Sequence, residues 1–126
     1  METLLDTNFV LTCVKQRLDF FSLAPELFTE NFEWAVPSEV LAELKEISER
    51  KGERIEDKES TKISLELLRL INPKEIKLGR RVVDDGIVDY LKKNPNTILA
   101  TLDKNLKKRV ENKIMSIKGK KNLMIS

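Results

Sequence analysis

The chain has 126 residues, enough for one domain around one core, with 40% hydrophobic and 35% charged residues. It holds one cysteine, Cys13, and no histidine, which excludes an intrachain disulfide, Ser-His-Asp and Cys-His catalysis, and the usual ligand sets of structural zinc. The net charge of +2 conceals an asymmetry: residues 1–60 carry 7 Lys/Arg against 14 Asp/Glu, and residues 61–126 carry 16 against 7.

Thr3 to Asp6 is a short apolar run that ends in Asp6-Thr7-Asn8, residues suited to turns and helix caps. A helix is predicted from about Phe9 to Gln16, and a second short helix or helical turn within Leu18–Phe28, interrupted near Pro25. Trp34-Ala35-Val36 reads as a second strand. Pro37 then sits in the first turn of a helix running to about Arg50, with Val40, Leu41, Leu44 and Ile47 along one stripe. Lys51 to Glu59 is polar and is expected to be a loop. Thr61 to Ile71 is predicted helical with Ile63, Leu67 and Leu70 inward, stopped by Asn72-Pro73.

Glu75 to Leu78 is expected as an edge-like, half-polar third strand, and Asp84 as the cap of a helix to about Lys93. Asn94-Pro95-Asn96 marks a turn, Thr97 to Leu102 a strand, and Asp103 the start of a basic helix to about Asn112. Leu123 to Ile125 is the last predicted strand. Strands alternating with helices imply a single three-layer α/β domain, with a mainly parallel sheet between helices on both faces. The N-terminus lacks a basic segment, its apolar stretch is broken by Asp6, Lys15, Arg17 and Asp19, and no run reaches membrane-spanning length. No secretory signal and no membrane association are expected, and a reducing cytoplasm is the expected location.

Four carboxylates recur through this pattern. Asp6, Asp84 and Asp103 follow predicted strands, and Glu43 lies in the helix after another. Each Asp alone is an ordinary helix cap, and Glu43 alone an ordinary edge residue of the apolar stripe. Together they matter more, because an open α/β sheet directs the carboxyl ends of its strands toward one crevice. Anions gathered there raise one another's pKa unless a cation joins them, and Mg²⁺ or Mn²⁺ suits oxygen ligands. A site of that kind can activate water toward a phosphate without histidine.

The same residues carry a resemblance. Leu-Leu-Asp6-Thr-Asn, Val-Pro-Ser with Glu43-Leu44, Val-Asp84-Asp85-Gly-Ile-Val and Ala-Thr101-Leu-Asp103-Lys-Asn-Leu-Lys-Lys-Arg109, in this order, make the chain resemble the PIN-domain ribonucleases over essentially its whole length. The Asp-Thr-Asn-Phe opening, the doubled Asp and the basic helix look most similar to the branch linked to small-subunit ribosomal RNA processing, and next to VapC-type toxins. The resemblance implies Asp6, Glu43, Asp84 and Asp103 as catalytic, metal-ligating carboxylates, with Asp85 able to share the load and Asp89 peripheral. It implies Asn8 and Thr101 as supporting polar residues, and cleavage leaving 5′-phosphate and 3′-hydroxyl ends. One departure is Leu102, which stands where the family usually has a small polar residue; this takes away a supporting contact without removing a ligand.

Lys104, Lys107, Lys108 and Arg109 crowd the helix beside Asp103, and Lys92, Lys93, Lys113, Lys118, Lys120 and Lys121 add to this third of the chain. A solvated face accounts for such a cluster by itself. Next to a phosphodiester-cleaving site it reads as a phosphate-binding surface for RNA. Trp34 and Tyr90 are the only large amphipathic rings, so backbone and shape recognition is expected over base stacking. The expected activity is metal-dependent endonucleolytic cleavage of single-stranded RNA, in ribosomal RNA maturation or as a toxin. A homodimer, an antitoxin-like protein or a ribosome-assembly factor are the expected partner classes besides RNA. Two alternatives come from other classes: a non-catalytic RNA-binding scaffold, which the presence of all four acids disfavours, and a phosphoacceptor domain, which needs paired acids after the first strand where this chain has one.

Overall fold

The first apolar run forms β1 (Glu2–Leu5), which lies in the middle of a six-stranded sheet. In the computed structural model, which describes residues 1–52 and 54–126, the chain continues through α1 (Thr7–Lys15), α2 (Phe20–Leu23) and a 3-10 turn over Ala24–Leu27. Pro25 belongs to that turn, so it opens a new turn as well as ending the helix before it. Next come β2 (Glu33–Pro37), α3 (Ser38–Glu49), α4 (Ile55–Ile71) and β3 (Lys74–Ile76). The chain ends with α5 (Val83–Lys93), β4 (Ile98–Ala100), α6 (Lys104–Lys108), β5 (Ile114–Lys118) and β6 (Asn122–Ile125).

The strand order is β3-β2-β1-β4-β5-β6. All neighbours are parallel except β5 and β6, which form an antiparallel hairpin. The chain builds outward from β1 to β3 and then returns to place β4 on the other side of β1. The topological switch therefore lies between β1 and β4, where ligands bind in open α/β sheets.

Side chains alternate across the sheet as a period of two requires. Leu5, Trp34, Val36, Ile98 and Ala100 face one core, shared with Phe9 and Val10 of α1, Phe20 of α2, Val40 and Leu44 of α3 and Leu68 of α4. Leu4, Ala35, Ile76 and Leu99 face a smaller core closed by Ile87, Val88 and Leu91 of α5 and Leu106 of α6. Trp34 meets Phe20 edge-on at 5.4 Å between ring centroids, so it is a core residue. Cys13 is buried in the larger core, which pushes its thiol up to about 12 and makes it inert as a nucleophile at neutral pH.

Several expectations are corrected. Of the predicted 51–59 loop, residues 55–59 are helical, and Glu53 lies outside the described residues. The expected inward stripe of α4 faces out: Ile63 is 55% and Leu70 73% exposed, with Leu67 only partly buried. Its buried residues are Ser60, Thr61, Ser64 and Leu68. Small side chains let α4 approach α1 and α3, and the buried hydroxyls of Thr61 and Ser64 donate to the carbonyls of Asp57 and Ser60, each at 2.7 Å. The strand at Thr97–Leu102 shrinks to three residues, and the basic helix to five, because the chain turns at Arg109 to enter β5. β5 has no counterpart in the sequence reading; its Lys113–Lys118 stretch reads as basic until β6 pairs with it.

Candidate active site

Four elements direct one carboxylate each into a cleft at the carboxyl end of the sheet. The cleft has a volume of about 350 Å³ and is lined by Asp6, Asn8, Glu43, Asp84 and Asp103, with Thr7, Leu11, Ile47 and Val83 completing its wall. Asp6 leaves β1 directly at the switch point, and its backbone N–H donates to the Ala100 carbonyl of β4 at 3.0 Å. It caps α1, with Oδ1 accepting the Thr7 N–H at 2.9 Å, while Oδ2 accepts the Thr101 hydroxyl at 2.7 Å. Thr101 is wholly buried and its oxygen also accepts the Asp103 N–H at 3.1 Å. One hydroxyl thus ties the first acid to the last.

Asp103 caps α6, accepting the N–H groups of Asn105 and Leu106 at 2.8 and 3.2 Å. Both bonds fall on Oδ1, so capping leaves its other oxygen without a protein partner among the described residues. For Asp6 and Asp103, then, the cap and the cleft are roles of the same side chain. Asp84 differs from its expected role. It does not follow a strand and it is not a cap: residues 77–82 separate β3 from α5, and Asp84 occupies the first turn after the uncapped Val82. Glu43 lies on α3, where the Thr7 hydroxyl donates to its Oε2 at 3.2 Å. Thr7 has no role in the sequence reading beyond its turn; a hydroxyl directly after the first acid is the signal for this link.

Asn8 lies in the cleft wall, with Oδ1 accepting the Leu102 N–H at 3.1 Å. At the departure, Leu102, the backbone N–H bonds Asn8 and the side chain packs on the larger core. Asp85 is not in the cleft. Arg109 donates to it at 2.7 Å, and Arg80 lies 3.7 Å away while bonding Asp89 at 2.5 Å. The Arg109 bond holds the Asp85 carboxyl below the usual carboxylate range. Arg109 is thus engaged by protein, whereas Lys104 and Lys108 stand exposed on α6 with Lys107 partly so.

Burial pushes the Asp6 carboxyl up; bonds from Thr101 and Thr7 oppose this, and Asp84 and Glu43 add to it. Burial also raises Asp84, with Asp103 reinforcing it and Arg109 opposing. Such mutual repulsion in an oxygen-only donor set fits a hard divalent cation. As the side chains stand, no three Asp, Glu or Cys residues among those described are drawn together closely enough to hold one.

Without metal, the raised Asp6 carboxyl contributes stability that is present below its unfolded value near 3.8 and is lost as pH rises through the folded value. An amide at this position keeps an acceptor for the Thr7 N–H, and the Thr101 hydroxyl that loses Oδ2 has Asn8 Oδ1 at 3.4 Å as its alternative acceptor. Asp6→Asn is therefore expected to melt at or above the wild-type temperature in chelator at pH 7, with the gap closing below pH 3.8. Thermal melts across pH 3–8 check this, and an Asn variant that melts lower throughout contradicts it.

Residues 3–120 match the family described as the PIN like domain. The chain is 31% identical over 119 residues to Ribonuclease VapC4 of Methanocaldococcus jannaschii, covering 92% of this chain and 89% of that one. Its fold is similar to the PIN domain endonuclease Utp24, with a TM-score of 0.80 at 23% identity over 99% of this chain and 90% of that one. It is also similar to a chain of VapBC2 from Rickettsia felis, with a TM-score of 0.56 at 19% identity over 94% of this chain and 100% of that one. No helix among the described residues is long and apolar enough to cross a membrane. The match over residues 3–120 and the 31% identical relative show that the chain belongs to the PIN-like domain family.

Proposed function

We propose that this chain is a divalent-metal-dependent endoribonuclease that hydrolyses phosphodiester bonds in single-stranded RNA. The observation that carries the reading is the cleft itself: Asp6, Glu43, Asp84 and Asp103 arrive from four different elements at one place, in a chain without histidine. Support for RNA as substrate comes from the M. jannaschii relative, which is named a ribonuclease. The four carboxylates would hold Mg²⁺ or Mn²⁺, which when bound supplies a water of lowered pKa and charge stabilisation at the phosphate. The chain's own residues orient this set. Thr101 and the Thr7 N–H fix both oxygens of Asp6, Thr7 positions Glu43, and Leu11, Ile47 and Val83 wall the cleft with apolar surface. Lys104, Lys107 and Lys108 supply positive charge on the helix that Asp103 caps.

The cellular role divides into two. Kinship to a VapC ribonuclease at 31% identity favours toxin-type cleavage restrained by an antitoxin-like partner. The Asp-Thr-Asn-Phe opening, the doubled Asp and the basic helix keep ribosomal RNA processing, with an assembly-factor partner, as the second reading. The activity is tested with an unstructured labelled RNA. Cleavage in Mn²⁺ or Mg²⁺ that stops on adding EDTA and returns with excess metal is the expected result. Undiminished cleavage in excess EDTA rejects the metal-dependent reading.

A further inference from the structure

Asp84 is the acid whose position is least explained by the sheet. It is reached through residues 77–82, which have no regular secondary structure, after β3, a three-residue edge strand paired only with β2. The Val82 side chain does not cap α5, so the helix start leaves its own N–H groups without a local anchor.

Contacts from α3 and α5 hold this connection instead. The Glu39 carboxylate straddles it, with Oε1 accepting the Leu78 N–H at 3.1 Å and Oε2 the Gly79 N–H at 2.9 Å. Gly79 has φ +72°, a left-handed conformation that suits glycine and presents the two successive N–H groups to one carboxylate. Gly86, two residues beyond Asp84, packs so closely that a Cβ there would lie 2.7 Å from the Leu78 Cβ. Arg80 from the same connection bonds Asp89 on α5. Burial opposes ionisation of Glu39, yet the Leu78 and Gly79 bonds outweigh it and hold the carboxyl below its ordinary value.

Glu39 and Glu43 lie four residues apart on α3, about one turn of a helix with ~3.6 residues per turn, and so share a face. One helix face therefore supplies both a carboxylate of the cleft and the clamp on the segment that leads to another. We infer that Glu39 is a positioning residue that, through Leu78, Gly79 and Gly86, sets the placement of Asp84 opposite Glu43. The inference rests on the metal-dependent reading of the cleft given above.

The test uses Glu39→Ala, Glu39→Gln and Gly86→Ala in the full chain. Gln keeps one acceptor oxygen and is the milder change, so it carries the test if Glu39→Ala fails to fold. Three quantities are read: Mn²⁺ affinity by calorimetry, kcat and KM on RNA at saturating Mn²⁺, and amide hydrogen exchange without metal. Glu39→Ala is expected to weaken Mn²⁺ about 10-fold, in line with losses on removing supporting partners. It should lower kcat with KM little changed, and speed exchange across 78–87 while β1 and β4 keep their protection. Gly86→Ala should reproduce this pattern from the other side of the connection. A lower melting temperature with wild-type Mn²⁺ affinity and kcat would show a merely structural glutamate and overturn the inference, as would unchanged exchange across 78–87. If the wild-type chain binds no Mn²⁺, the reading of the cleft fails instead, and the exchange pattern alone decides whether Glu39 organises the start of α5.

Discussion

Replacing any one of Asp6, Glu43, Asp84 and Asp103 by its amide should cut RNA cleavage at least ~100-fold, the scale on which losses at metal ligands and their supports act. An amide preserves size and most hydrogen bonds, so the fold should survive in each variant. Asp6→Asn and Asp103→Asn keep an acceptor for their caps, and Asp84 caps nothing. Asp85→Asn is the internal control. Its carboxylate is tied to Arg109 at 2.7 Å and lies outside the cleft, so most activity should remain. Initial rates on one labelled RNA, with circular dichroism to check folding, settle the matter. An inactive Asp85→Asn beside a fully active Asp84→Asn would place the reacting centre on the other side of α5.

Changing Lys104, Lys107 and Lys108 together to Gln should weaken RNA binding and flatten its salt dependence, while Mn²⁺ binding survives. Three lost phosphate contacts should reduce the slope of log affinity against log salt by about 2, at ~0.7 per contact for single strands. Arg109 belongs in a separate variant. It is committed to Asp85, so Arg109→Gln disturbs the α5–α6 contact as well as any phosphate it meets. Fluorescence anisotropy at several salt concentrations reads the slope. A triple variant with wild-type affinity and slope would make α6 a solvated face and move the RNA path elsewhere, to Lys92 and Lys93 or to the 118–121 segment.

The parts of this fold legible in sequence are those where local chemistry and tertiary outcome coincide. β1, β2 and β6 announce themselves as apolar runs, and α3 by a stripe of which Val40 and Leu44 face the core. The four acids stand out because histidine is absent and because their order follows the alternation of elements. In α4 the periodic apolar residues Ile63 and Leu70 suggest the wrong face, since close approach to α1 and α3 selects the small residues Ser60, Thr61 and Ser64 for burial. Periodicity reports which residues are apolar, and cannot report how near a neighbouring helix comes. β5 was hidden by its flanking lysines, because pairing with β6 and β4 makes it a strand more than its own composition does.

The sequence by itself determined the fold class, the PIN-like kinship and the identity of the four cleft carboxylates, because these depend on residue types in a fixed order. Only the tertiary structure decided which neighbours those carboxylates have. That Thr101 joins Asp6 to Asp103 across the switch point, that Thr7 holds Glu43, and that Asp84 faces the cleft while Asp85 turns to Arg109 are facts of packing. The last distinction has the plainest physical reason. Successive residues on an α-helix point about 100° apart at ~3.6 residues per turn, so Asp84 and Asp85 leave the helix in different directions.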